Sequence, residues 1–265
     1  MEKSIALRAC LLLTGLAAFA VHPHARTDAR PKVVHVFVAL ADNGNQGIVP
    51  VPARLGNGQD PPNNLYWGAA FGVKTFFKKS SRWKTISCAP GPNPAILERC
   101  VFRRSDRDAY LVADAYDGAR IRQAIQDFLN AAAGATSPSV RIGPNETAPD
   151  TLGDADLVAY VGHDGLMDFQ VSPVAGANDG RIRKFIILAC ASKPFFEKYM
   201  KQSGSEPLLW TTGLMAPEAY TLEAALNGWF AGENSESIRT RAAEAYDRYQ
   251  KCGEQAARKL FASAW

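Results

Sequence analysis

Histidine, cysteine and long apolar runs are scarce in this sequence, and each scarcity excludes a class of protein. Four histidines and five cysteines occur among 265 residues, and they form no closely spaced cluster of the kind that zinc enzymes require. We therefore expect no metal site. Beyond the first twenty residues, no apolar run approaches the roughly 20 residues that cross a bilayer, which predicts a chain without a membrane span.

Several binding and catalytic motifs are also missing. The sequence contains no G-x-S-x-G elbow of a serine hydrolase and neither of the glycine-rich loops of the usual nucleotide folds, so we expect no cofactor. Lys and Arg residues are spread along the chain with no run of five or six, although the net charge is +4. This spread is typical of a solvated surface and predicts no nucleic-acid partner.

The N-terminus has the pattern of a signal peptide. Lys3 and Arg8 precede an uncharged run over residues 9–20, which ends in Ala18-Phe19-Ala20. We predict a signal peptide at 1–20, a short tail at 21–32 and one domain at 33–265. The mature protein would then be exported, either to the periplasm or out of the cell.

Four cysteines remain after cleavage, in what would be an oxidising compartment. Cys88 and Cys100 flank a loop that contains three prolines and a glycine. Turn-rich loops bring their ends together, so we predict a disulfide between these two residues. Cys190 and Cys252 are then left to be explained, as thiols or as a second pair.

Apolar runs alternate with stretches of helical periodicity along the rest of the chain. The runs predict strands at 33–40, 110–115, 157–161, 185–189 and 208–211. Helices are predicted from Asn63 or Asn64 to Phe77, near Asp117, after a cap at Ser192, from Pro217 to about 228, and over 238–249. This alternation indicates an α/β fold, a three-layer α/β/α sandwich with a mostly parallel sheet.

Two chemically capable side chains follow neighbouring strands of this predicted sheet. His163 follows the strand at 157–161 after one glycine, and Cys190 comes directly after the strand at 185–189. Ligands bind beyond the carboxyl ends of parallel strands, where helix N-termini point inward. A thiol nucleophile needs a base within reach and donors for the oxyanion, and Gly165 could supply one such backbone N–H.

Further residues at the same rim are weaker candidates. Asp42 and Asn43 follow the first strand and could contact a substrate, although a plain turn is the simpler interpretation. Trp210 could line a pocket near Cys190, although core packing is simpler there.

The two strand ends also resemble a known family. LVAYVGH at 157–163 and FIILACAS at 185–192 resemble the paired strands of the caspase, legumain and gingipain group of cysteine peptidases, in which one strand ends in His-Gly and the next in Ala-Cys. The resemblance implies a caspase-like fold, with His163 as general base, Cys190 as nucleophile, and the N–H groups of Gly165 and Cys190 as oxyanion donors. The chain departs from the family pattern at Asp164, which stands between His163 and the glycine.

The resemblance extends to two other segments. NLYWGA at 64–69 is similar to the first helix of that fold. Residues 208–213 would occupy the place of the strand that lines the specificity pocket, which makes Thr212 and Trp210 candidates for substrate binding.

The sequence therefore predicts an exported cysteine-peptidase-like hydrolase that acts on a peptide or protein substrate. Two other functions stay open. A caspase-like module without activity could bind a partner in the cell envelope, with Cys190 joined to Cys252 in a disulfide. An acyl hydrolase or transferase could use the same dyad on a substrate that is not a peptide.

Overall fold

The computed structural model describes residues 30–136, 140–141, 151–174 and 179–265. The predicted signal peptide and most of the predicted tail lie outside these residues. The strands are β1 (Lys32–Ala39), β2 (Trp83–Pro90), β3 (Ile96–Arg104), β4 (Ala109–Tyr116), β5 (Val140–Arg141), β6 (Thr151–Leu152), β7 (Leu157–Val161), β8 (Lys184–Leu188), β9 (Glu206–Thr211) and β10 (Phe261–Ala262). The α-helices are α1 (Val73–Lys79), α2 (Ile121–Ala132), α3 (Ser192–Ser203), α4 (Ala219–Ala231), α5 (Ser235–Gln250) and α6 (Glu254–Leu260).

One eight-stranded sheet organises the described domain, in the order β10-β9-β8-β7-β1-β4-β3-β2. Its five central strands, from β9 to β4, are parallel. The edge strands are antiparallel to their neighbours, β10 at one side and the β2–β3 hairpin at the other. The predicted α/β class with a mostly parallel sheet is confirmed.

Helices cover both faces of this sheet because its central strands are apolar on both sides. Every residue of β4 and β7 is buried, and β1 is buried from its second residue onward. One apolar cluster packs α1, α4 and α5 against the sheet, and a second packs α2 and α3 against the opposite face. No helix in the described ranges is long and apolar enough to span a membrane.

The chain between the first strand and α1 corrects one prediction. The helix predicted from Asn63 or Asn64 begins only at Val73, and residues 61–72 form turns. The Asn64 side chain explains the difference, because it receives the N–H of Ala41 at 3.0 Å and donates to the carbonyl of Ala41 at 2.8 Å. This buried amide fastens the segment to the end of β1 instead of capping a helix.

The segment around the first two cysteines corrects another. The loop predicted between Cys88 and Cys100 is shorter than expected, because the two cysteines are direct partners in the antiparallel hairpin of β2 and β3. Their sulfur atoms lie 1.99 Å apart as a disulfide, which agrees with the predicted pair. The bond links two strands across the hairpin rather than closing an irregular loop.

Candidate active site

His163 and Cys190 are brought to one cavity by two neighbouring strands. β7 and β8 are adjacent and parallel, and their last residues, Val161 and Leu188, are register partners. His163 and Cys190 follow these ends and both line a cavity of about 440 Å³. The expected side-by-side placement at the carboxyl edge of the sheet is what the structure has.

The imidazole of His163 is held by an aspartate that the sequence analysis did not select. Its Nε2 lies 2.7 Å from Oδ2 of Asp168, and its carbonyl accepts the hydroxyl of Tyr160 at 2.8 Å. Gly162 precedes it with φ of 152°, and a Cβ there would lie 2.9 Å from the carbonyl oxygen of Ala39. Asp168 therefore orients the imidazole ring through Nε2. The other ring nitrogen, Nδ1, is not part of this bond.

The thiol of Cys190 stands at a sharp turn between β8 and α3. Ala191, the next residue, has left-handed backbone angles of φ 46° and ψ 37°, which a residue with a Cβ rarely adopts. The main-chain N–H of Met215 lies 3.5 Å from the Cys190 sulfur, within hydrogen-bonding reach. Cys190 is half-buried and Cys252 is exposed, and both are free thiols in the structure.

The start of α3 is tied to β9 directly below this turn. Ser192 is the first residue of the helix rather than its cap, and it is fully buried. Its N–H donates to the hydroxyl of Thr211 at 3.0 Å, and its own hydroxyl receives the N–H of Thr211 at 3.0 Å. These bonds hold the positive end of the helix dipole next to Cys190.

Gly165, the expected oxyanion donor, is engaged inside its own turn. Its N–H donates to the carbonyl of His163 at 3.1 Å. A Cβ on Gly165 would meet the ring of Phe169 at 2.5 Å, so this residue faces the packing against Phe169 and is not part of the cavity lining. The N–H of Cys190 remains as the second expected donor.

Asp164 is turned inward beneath the site. It is fully buried, its Oδ1 accepts the N–H of Leu166 at 3.0 Å, and its Oδ2 has no hydrogen-bond partner in the described part of the chain. Burial, helped by the nearby charge of Asp168, raises the pKa of Asp164 to about 7. The residue that departs from the family pattern is thus a buried carboxyl that resists ionisation.

The four candidate substrate-binding residues lie away from the cavity lining. Asp42 caps its own turn by accepting the N–H of Gly44 at 2.8 Å, and Asn43 clamps the main chain of Val51. Trp210 is fully buried and donates to the carbonyl of Ala264 at 3.1 Å. Thr212 donates to the carbonyl of Lys259 at 2.8 Å.

Other polar groups reach the cavity from segments far apart in the sequence. Burial raises the pKa of Tyr66 and of Tyr246, and the charge of Cys190 adds to both shifts. Burial also raises the pKa of Glu218, whose Oε2 accepts the hydroxyl of Tyr220 at 2.8 Å. No sequence motif connects these residues, so only the fold reveals that they share a site.

Metal ligation has little support in the part of the chain that the structure describes. The one group of His, Cys or acidic side chains at ligand spacing there is Cys88, Glu98 and Cys100. Two of its members are already joined in the disulfide, which removes the thiolates that a metal would need.

Comparison with known proteins adds no assignment. The chain matches no family model, no curated protein and no solved structure.

Proposed function

We propose that this protein is an exported cysteine-peptidase-like hydrolase of caspase-like fold, with Cys190 as nucleophile and His163 as general base. One observation carries the proposal: a free thiol and an aspartate-held imidazole line the same cavity at the carboxyl ends of adjacent parallel strands. Nucleophile, base and orienting group are the three parts of a catalytic triad.

The reaction begins with transfer of the thiol proton from Cys190 to His163. The thiolate attacks the carbonyl carbon of the peptide bond, and a sulfur–carbon bond forms as the carbonyl electrons move to oxygen. His163 then gives its proton to the leaving amine, and the carbon–nitrogen bond breaks. Water, deprotonated by His163, attacks the thioester, and the released thiolate recovers its proton from the imidazolium.

Three features favour the thiolate and the oxyanion. The N-terminus of α3 begins two residues after Cys190 and places a partial positive charge beside the sulfur. The N–H of Met215 lies within hydrogen-bonding reach of the sulfur. The N–H of Cys190 is the donor that we assign to the oxyanion, because the N–H of Gly165 is engaged with His163.

Asp168 acts in this proposal as a positioning residue. Its carboxylate fixes Nε2 of His163 at 2.7 Å, which leaves Nδ1 for exchange of the proton with the thiol. The same carboxylate stabilises the imidazolium that forms when the thiol is deprotonated.

The test uses Cys252 as an internal control, because it is an exposed thiol in the same chain. The purified protein is alkylated with iodoacetamide at pH 6 to 8, and each cysteine is quantified by mass spectrometry in the parent and in His163→Ala. We expect Cys190 to react at least tenfold faster than Cys252 at pH 6, although it is the less exposed thiol. We expect His163→Ala to abolish that advantage.

Two results would contradict the proposal. Equal or slower labelling of Cys190 in both proteins would show that no activated thiolate exists. A Cys190–Cys252 disulfide in the purified protein would instead favour the binding module without activity. A positive result leads to a peptide library, compared with simple thioesters and esters, to separate a peptidase from a hydrolase that acts on other acyl groups.

A further inference from the structure

The rim of the dyad cavity carries a concentration of exposed apolar side chains. Val49 is 85% exposed, Leu214 is 77% exposed and Met167 is 44% exposed, and all three line this cavity. Seven large hydrophobic side chains are exposed in the described ranges, so three of them meet at one opening. They come from the loops after β1, β7 and β9, and exposed apolar patches of this kind mark binding surfaces.

The interior of the cavity continues this apolar character. Its walls include Ile48, Leu65, Met215 and Pro217. The wall next to the nucleophile is part of this surface, because the Met215 main chain contacts the Cys190 sulfur. A substrate side chain adjacent to the attacked carbonyl would therefore meet apolar surface immediately.

The charge of the cavity fits neither an acidic nor a basic substrate side chain. Among the residues that the structure describes, its lining contains no Lys or Arg, so an acidic side chain would find neither of these partners there. Glu218 is the one acidic residue among the described residues of the lining, and its Oε2 already accepts hydrogen bonds from Tyr220 and Gln250. Burial raises the pKa of Glu218, and this disfavours the charged form that a basic side chain would need.

We infer that the cavity binds a large uncharged apolar side chain, such as Leu, Met or Phe, on the acyl side of the bond that Cys190 attacks. The inference rests on the proposed function, since it names the substrate class of that same site. A volume of about 440 Å³ lies in the ordinary range of ligand pockets. Covering Leu214 and Val49 on binding would remove exposed apolar surface from water, which favours such a ligand.

The test compares irreversible peptide probes that differ only in the side chain next to the reactive group. Acyloxymethyl ketones with Leu, Lys, Asn or Asp at that position are incubated with the full chain. In each reaction the Cys190 thiolate forms a sulfur–carbon bond with the methylene, and the carboxylate leaves with the carbon–oxygen electrons. The rate with each probe is divided by the rate with iodoacetamide, which corrects for thiol reactivity.

We expect the Leu probe to exceed the Lys, Asn and Asp probes at least tenfold in this ratio. Leu214→Ser should reduce the ratio for the Leu probe about tenfold, because the probe loses apolar contact at the rim. Ile182→Ser is the matched control, since Ile182 is 67% exposed and lies outside the cavity lining. That control should leave the ratio unchanged.

The outcomes separate this inference from the proposed function. Rapid iodoacetamide labelling of Cys190 together with preference for the Lys probe would overturn the inference and leave the proposed function intact. Loss of that preference in Glu218→Gln would then identify Glu218 as the residue that selects the Lys side chain. Preference for the Asn or Asp probe would overturn it as well. An inert Cys190 would overturn both proposals together.

Discussion

Two regions of the molecule contain the same chemical pair, a histidine bound through Nε2 to an aspartate. In the sheet interior, His35 of β1 lies 2.8 Å from Asp114 of β4. At the cavity, His163 lies 2.7 Å from Asp168. The Asp114 side chain is fully buried and also binds Arg99 through both oxygens, whereas the Asp168 side chain is 49% exposed.

The difference shows that a histidine–aspartate pair is not by itself a catalytic signal. Burial opposes ionisation of Asp114, but the bonds from Arg99 and His35 outweigh it and hold the pKa of Asp114 below its ordinary value. That cluster is a buried ion pair that joins β1, β3 and β4. The pair at His163 has instead a free thiol on the same cavity wall, and the proposed chemistry depends on this neighbour.

Asp114→Ala should break the interior cluster and produce the largest effect on stability. Removal of the carboxylate leaves Arg99 and His35 without their shared partner inside the sheet, which costs about 3–5 kcal/mol for a buried pair. Urea unfolding measures the loss. Asp168→Ala is the comparison, and it should cost less than about 1 kcal/mol because its pair is half-exposed. Equal losses would show that burial does not distinguish the two regions.

Asp164 is a third buried or half-buried carboxyl, and within the described residues it has no cationic partner. Its pKa is about 7 in the folded protein, against 3.8 for the ordinary group, so the folded state binds more protons than the unfolded state between these values. The contribution of Asp164 to stability therefore falls as pH rises from about 4 to about 7, by up to about 4 kcal/mol.

Asp164→Asn should remove this fall while the amide oxygen keeps the bond to Leu166. Urea unfolding of parent and variant at pH 4, 6 and 8 should give a difference in stability that grows with pH in favour of the variant. Asp108→Asn, at an exposed aspartate, is the control and should keep the pH dependence of the parent. A difference that does not change with pH would rule out the raised pKa.

The effect of Asp168→Asn should appear in the reactivity of Cys190 rather than in stability. Without the carboxylate, the imidazolium of His163 is less stabilised, so we expect Cys190 alkylation at pH 7 to fall about tenfold, which corresponds to about 1.4 kcal/mol. The pH of half-maximal labelling should move upward.

Glu197→Gln is the control, because Glu197 is a surface carboxylate paired with Lys201, and it should change neither the labelling rate nor the pH of half-maximal labelling. An unchanged pH profile in Asp168→Asn would show that Asp168 has no positioning role.

The parallel strands at the centre of the sheet could be predicted because the residues of each strand indicate a buried strand without reference to its neighbours. A strand buried on both faces is a nearly continuous apolar run, and β1, β4, β7 and β8 have that pattern, interrupted inside the strands only by His35 and Asp114. The β2–β3 hairpin could not be predicted, because β2 is an edge strand whose residues are mostly exposed and form no continuous apolar run. Pairing with β3 is what makes β2 a strand, and the residues of β2 alone do not indicate this pairing.

The sequence alone predicted that His163 and Cys190 would lie at the same edge of the sheet, since each follows a buried strand and adjacent parallel strands end at the same edge. Tertiary structure decided which other groups join them. Asp168 reaches His163 through a turn, and Leu214, Val49 and Glu218 converge from loops separated by many residues. The physical reason is that strand burial is encoded in local hydrophobicity, whereas the contents of a cavity depend on where independent loops end in space.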